Sequence, residues 1–149
     1  MTPIVTLTDA PNAAAQAAIG EGLGRYNAEQ AGYNDSRPLA VLVSDPETNH
    51  VIAGLLGRTS LGLLFIDLFY LPDELRGQGL GTRIMRQAEE EGKRRGCRAS
   101  VLYTISFQAP GFYEKHGYHT FGTIPCDPPG TSRVFMVKEL ASSTPRTPG

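Results

Sequence analysis

The chain has no tryptophan, two cysteines and three histidines among its 149 residues. Cys97 and Cys126 share no ligand spacing with His50, His116 or His119, so no metal site is expected. Charge of one sign is also missing. Fourteen Lys and Arg stand against fifteen Asp and Glu, a net charge of −1. The basic excess with which proteins grip nucleic acid is therefore absent, and no nucleic-acid partner is expected. No apolar run approaches the ~18 residues of a membrane span. The opening MTPIVTLTDA has no basic stretch leading into an apolar one, so no export signal is expected. The compartment to expect is cytoplasmic and reducing, with both cysteines as thiols. The length suits one domain, read as residues 1–141. A chain of this size holds a core without disulfides. The Pro/Ser/Thr-rich end, 142–149, reads as a disordered tail.

Ile4–Leu7 reads as a short strand. Thr8–Asn12 then reads as a turn and helix cap. Ala15, Ala18, Ile19, Leu23 and Tyr26 fall three to four apart, which predicts a helix over Ala13–Tyr26. Gly20, Gly22 and Gly24 weaken that helix by up to ~1 kcal/mol each relative to Ala. Asn27–Arg37 reads as a loop or a short second helix. Strands are expected at Leu39–Val43 and Val51–Leu56, paired as a hairpin, with a turn region over Gly57–Gly62. Leu63–Leu71 is the strongest strand signal and is interrupted only by Asp67. A helix is expected from about Thr82 to Arg95, with Ile84, Met85 and Ala88 on its apolar face and Gly96 as its stop. Then come a strand at Ala99–Thr104, a short helix at Pro110–Lys115, and strands at Tyr118–Ile124 and Arg133–Val137. Strand–helix–strand in the second half implies a parallel pair, and the hairpins imply antiparallel ones.

The loop between the Leu63–Leu71 strand and the following helix is Arg76-Gly77-Gln78-Gly79-Leu80-Gly81. A helix N-terminus offers unpaired N–H groups and a positive dipole end, and so favours phosphates. Glycines let the backbone come close, and an arginine adds a charged donor. The nucleoside-triphosphatase loop requires Lys before Ser or Thr, and none precedes Thr82. The dinucleotide loop requires Gly-x-Gly-x-x-Gly, whereas Gly77-x-Gly79-x-Gly81 is one residue short.

Arg76-x-x-Gly79-x-Gly81 resembles the Arg/Gln-x-x-Gly-x-Gly/Ala motif of GNAT acyltransferases. Ser106-Phe107-Gln108-Ala109-Pro110-Gly111-Phe112-Tyr113-Glu114-Lys115-His116-Gly117-Tyr118 is similar to that family's second signature, Asn-x-x-Ala-x-x-Phe/Leu-Tyr-Glu-Lys-x-Gly-Phe/Tyr. The order of elements also agrees, from about Ile4 to Leu140. The resemblance implies an α/β (α+β) fold: a mixed, mostly antiparallel central sheet with a splayed parallel pair, flanked by helices. It implies acetyl-coenzyme A as co-substrate, no metal, and direct transfer of acetyl to a primary amine of a small molecule. Phe69, Tyr70, Leu71, Arg76, Gly77, Gln78, Gly79, Leu80, Gly81, Thr82, Ser106 and Gln108 are then the cofactor-binding set. Ser106 departs from the family's Asn. Backbone N–H groups of Phe69 through Leu71 would stabilise the oxyanion. Tyr113, whose phenol keeps its proton at pH 7, would be the acid for the leaving thiolate. Asp67 is the candidate base, because a carboxylate in an apolar strand must face a cleft or a partner, and burial there would raise its pKa. Glu21, Glu29, His119 or a water chain are alternatives.

Cys97, between helix and strand with no His paired to it, reads as packed rather than nucleophilic. On the acceptor side the family places the first helices and the loop Pro125–Thr131. Glu21, Tyr26, Asn27, Glu29, Tyr33, Asn34 and Asp35 on that side suit a cationic amine. Other readings of the same fold are an acyl-coenzyme A sensor without turnover and a protein N-acetyltransferase. A homodimer through the final strand, Arg133–Val137, as a sheet edge is a further expectation.

Overall fold

The computed structural model describes residues 1–140. The expected tail, 142–149, lies outside them. The described chain forms two compact units, Met1–Asn34 and a second beginning at Asp35.

The first unit contains helix α1, Ala13–Ala31. The Asn12 side chain accepts from the Ala15 N–H at 2.7 Å and satisfies one orphan donor of the first turn. The helix runs five residues past the expected end at Tyr26. Ala28-Glu29-Gln30-Ala31 are good helix formers, and no breaker arrives before Gly32, which ends the helix at φ 90°. The expected strand at Ile4–Leu7 is not formed. Ile4, Val5 and Leu7 are at least 90% exposed, with no ladder partner, and a strand exists only by pairing.

The second unit is a six-stranded sheet with α2 and α3. Its elements are β1 (Arg37–Ser44), β2 (Val51–Ser60), β3 (Leu63–Tyr70), α2 (Leu80–Arg94), β4 (Ala99–Ile105), α3 (Pro110–Lys115), β5 (His119–Cys126) and β6 (Thr131–Glu139). The strand order is β1-β2-β3-β4-β6-β5. Only β3 and β4 are parallel. The last strand in sequence is therefore interior, because β5 folds back outside it. The expectation that Arg133–Val137 is a sheet edge is therefore not met, and the edge strands are β1 and β5.

The turn expected over Gly57–Gly62 narrows to Leu61-Gly62, both at positive φ, as a two-residue hairpin loop requires. Gly57 sits inside β2 for another reason. A Cβ there would lie 2.3 Å from the Phe65 carbonyl oxygen, so only glycine allows the backbones to approach.

One irregularity shapes the site. Leu56 pairs with Leu68 and Gly57 with Ile66, which leaves Asp67 as an extra residue in β3. Such a bulge bends its strand. Pairing with β4 stops at the same point, covering only Leu63–Ile66 against Ala99–Leu102. Beyond it the two parallel strands diverge.

The core lies between the sheet and α2. Leu55, Leu64, Ile84, Met85 and Met136 are 2% exposed or less, each worth about 1.5–3 kcal/mol of burial. The α2 face holds Ile84, Met85, Ala88 and Gly92, at the spacing the sequence predicts, and it also holds Glu89.

Candidate active site

The divergence of β3 and β4 opens two cavities that share a wall. The larger, about 540 Å³, is lined by Phe69–Leu71, by Arg76, Gly77 and Gly79–Thr82, and by Thr104, Phe107–Ala109, Phe112 and Tyr113. The smaller, about 200 Å³, is lined by Ile66–Phe69, Leu102, Tyr103, Ile105, Gln108, Tyr113 and Arg133. Phe69, Gln108 and Tyr113 belong to both.

The larger cavity ends on the α2 N-terminus. Gly79 caps the helix at φ 76°, a left-handed conformation that costs glycine little. The first intrahelical bond there runs from the Arg83 N–H to the Gly79 carbonyl, 3.1 Å. The N–H groups of Leu80, Gly81 and Thr82 thus precede the helical ladder and face a helix end with no acid in its first turn. Such a helix end favours a negative charge. Gly81 is there for space: a Cβ would meet the Phe112 ring at 3.1 Å. Arg76 is only partly free for a ligand. Its Nε donates to the Leu71 carbonyl at 2.9 Å and its Nη1 pairs with Asp73 at 2.8 Å. It ties the loop to the end of β3 while lining the cavity.

Tyr113 stands where the cavities meet. Its ring packs against Phe69, Phe112 and Tyr118, with centroids 5.3–6.3 Å apart. Burial pushes its pKa up to about 12. Among the described residues its hydroxyl has no hydrogen-bond partner. Gln108 is held by its oxygen, which accepts from the Thr104 hydroxyl (3.1 Å) and the Ile105 N–H (3.2 Å). Its amide nitrogen is left as a donor at the junction. Nearby, His116 Nε2 lies 3.3 Å from Thr82 Oγ1, and burial lowers its pKa against the pull of Glu89. The imidazole is neutral at pH 7.

Asp67 lines the smaller cavity but is not buried. Its side chain is 48% exposed, and both oxygens accept from Arg58 Nη1, at 2.8 and 3.1 Å. The burial expected to perturb it is not found, because the bulge turns it outward to a cation. Ser106 lies outside the larger cavity. Its hydroxyl accepts from the Ser132 N–H at 3.0 Å, joining the end of β4 to β6. Gln78 is also outside that lining. Thr104, Phe107, Ala109 and Phe112 line it without having been singled out. The last three lie within the second signature, and Thr104 continues the buried face of β4 after Ser100 and Leu102. Arg133 was not singled out for the smaller cavity.

Among the alternative bases, His119 is exposed at the start of edge strand β5, and Glu21 and Glu29 are exposed on α1. Burial chiefly raises the Cys97 thiol pKa, with Asp35 adding, so Cys97 is a protonated core residue.

The raised Tyr113 pKa has a consequence for stability. Folded Tyr113 keeps its proton to about pH 12, whereas an unfolded tyrosine loses it near ~10. Its contribution is complete below pH 10 and is lost as pH rises from 10 towards 12. Tyr118, shifted the same way by burial and by Glu89, acts in the same direction. The urea midpoint is expected to hold from pH 7 to 9.5 and to fall above pH 10, with a shallower fall in Tyr113→Phe.

The family model described as Acetyltransferase (GNAT) family matches residues 5–118. An acetyltransferase of Agrobacterium fabrum is 33% identical over 134 residues, covering 90% of this chain and 97% of that protein. Blasticidin-S acetyltransferase of Streptomyces morookaense is 38% identical over 109 residues, covering 71% and 80%. A crystal structure from Agrobacterium tumefaciens superposes with TM-score 0.81 at 31% identity, covering 92% of this chain and 99% of the other. An acetyltransferase crystal structure from Bacillus cereus gives TM-score 0.72 at 27% identity, covering 91% and 98%.

Proposed function

The chain belongs to the GNAT acetyltransferase family, and from that premise we propose that it transfers acetyl from acetyl-coenzyme A directly to a primary amine of a small molecule. The observation that carries this reading is the pair of cavities meeting at Tyr113, one ending on a helix N-terminus and one opening beside Asp67. Two substrates entering from opposite sides would meet where the parallel strands part. That Blasticidin-S acetyltransferase is a relative supports a small-molecule acceptor.

The α2 N-terminus and the backbone of Gly77 and Gly79–Thr82 hold the pyrophosphate. Strand N–H groups alternate between the two neighbours, so those of Phe69–Leu71 that face β4 lose their partner past Ile66. They are the oxyanion donors for the thioester carbonyl. The amine nitrogen attacks that carbon, the C–S bond breaks, and the thiolate takes the Tyr113 proton, which Tyr113 regains from water as the thiol leaves. The proton from the amine goes to Asp67 or to water at the open end of the smaller cavity. Asp67, half exposed and paired with Arg58, orients the amine through its remaining lone pairs.

Thermal unfolding with acetyl-coenzyme A tests the cofactor assignment. At ~100 times its dissociation constant a ligand adds about 2.7 kcal/mol, a rise of roughly 5–11 °C at this size. NAD should give none. Gly81→Val crowds Phe112 and should lower the unliganded midpoint modestly while removing most of the acetyl-coenzyme A shift. A wild-type midpoint unmoved by millimolar acetyl-coenzyme A would overturn the proposal.

A further inference from the structure

The smaller cavity carries charge of both signs on otherwise mostly apolar walls. Asp67 stands on β3 and Arg133 on β6, with Ile66, Leu68, Leu102 and Ile105 between them. Asp67 already has a cation in Arg58, yet an arginine satisfies only part of a carboxylate's acceptor capacity. Arg133 is in a different position. It is half-buried, and its cross-strand neighbours are Ile105 on β4 and Ile124 on β5. Among the described residues no carboxylate pairs with it. Arg58, Arg76, Arg94 and Arg95 all have carboxylate partners, and the remaining described arginines are exposed. Arg133 is thus the one described arginine both partly withdrawn from water and without an anion. A guanidinium in that situation is costly unless something polar meets it. Its planar fork fits a carboxylate or phosphoryl group in two-point fashion.

We propose that Arg133 receives an anionic group of the acceptor, so that the substrate is a small zwitterionic amine of the amino-acid type. The inference rests on the acetyltransferase reading and names the substrate class of the same site. It adds an anionic group to the expected cationic amine, an expectation that rested on polar residues of α1 and the following segment. The amine lies by Asp67 and Tyr113, the anion lies by Arg133, and the apolar walls take a medium-sized aliphatic side chain. A cavity of about 200 Å³ suits a molecule smaller than a typical drug-sized ligand.

The test compares matched pairs: L-leucine with L-leucinamide, and L-methionine with L-methioninamide. 3-Aminopropylphosphonate against propylamine asks whether a phosphoryl group serves instead of a carboxylate. Thiol release from acetyl-coenzyme A and calorimetric binding to the coenzyme A complex are the two readouts. The acid is expected to exceed its amide in kcat/KM, although the amide's less basic amine is more often neutral. Arg133→Gln should raise KM for the acid about 10- to 100-fold, with kcat little changed and the amide unaffected. Arg133→Lys should restore part of the loss. If amides bind and react as well as acids, or Arg133→Gln weakens both equally, the Arg133 assignment is overturned, and calorimetry decides this even where turnover is slow. If acetyl-coenzyme A binds but no amine of any charge releases thiol, the acetyltransferase reading fails instead.

Discussion

Tyr113→Phe is expected to lower kcat by about 10²- to 10⁴-fold, the range a positioned general acid contributes. The substitution is clean because the structural role of Tyr113 belongs to its ring. The aromatic contacts with Phe69, Phe112 and Tyr118 all survive in phenylalanine. The lost hydroxyl has no hydrogen-bond partner among the described residues, so no protein group is orphaned and the midpoint near pH 7 should stay within about 1 °C. The acetyl-coenzyme A thermal shift should also persist, since the anion-binding N–H groups lie on α2. A phenol with a pKa near 12 stays protonated across the working range. Wild-type kcat should therefore show no alkaline decline from this group up to pH 10, and any rise towards that pH reports amine deprotonation. A kcat within threefold of wild type, with cofactor binding intact, would move the proton donor from Tyr113 to water.

Much of the candidate site is legible in the sequence. The α2 N-terminus was legible because its requirements are local: a strand, glycines that let the backbone approach an anion, and a helix with its apolar stripe at Ile84, Met85 and Ala88. Tyr113 was legible because it lies in a signature with fixed spacing. What could not be read depended on partners distant in sequence. The bulge at Asp67 is a mismatch between β2 and β3, and no single strand records its own register. The same mismatch leaves Asp67 beside Arg58 rather than buried. Gly57 looked like a turn because glycine is usual there, and only the Phe65 carbonyl 2.3 Å from its would-be Cβ explains it inside a strand. Ser106 stands where the resembled signature has Asn, yet its hydroxyl accepts from the Ser132 N–H, 26 residues away in sequence. Arg133 had nothing local to mark it. Its interest comes from lacking an acid in three dimensions, a property of its neighbours on β4 and β5.

Glu89→Ala is expected to cost about 2–4 kcal/mol of stability, read by urea denaturation at pH 7. Glu89 lies on the core face of α2 where the helical period calls for an apolar residue, and it is 7% exposed. Its two oxygens serve separate partners. Oε1 accepts from Lys138 Nζ on β6 at 2.8 Å, and Oε2 lies 3.0 Å from the Tyr118 hydroxyl. That hydroxyl also lies 2.7 Å from Ser100 Oγ on β4. One phenolic proton can serve only one of these bonds, so Tyr118 donates to Glu89 and Ser100 donates to Tyr118. Removing the carboxylate strips the acceptor from a buried phenol and the counter-ion from a lysine. Breaking a buried pair from one side costs ~3–5 kcal/mol, reduced here because Lys138 remains 27% exposed. Glu89→Gln keeps an acceptor for Tyr118 and should lose less, about 1–2 kcal/mol. Replacing Glu89 and Lys138 together by Leu and Met should recover much of the alanine loss, since neither charge is then left alone. The network also bears on catalysis through geometry. Tyr118 is held by it, and its ring lies 5.9 Å from that of Tyr113. Glu89→Ala should therefore lower kcat severalfold at temperatures where the protein is still folded, whereas the Leu/Met pair should restore stability more fully than kcat. If Glu89→Ala costs less than about 1 kcal/mol, the four side chains are neighbours rather than a cooperative unit, and the core is held by its apolar contacts alone.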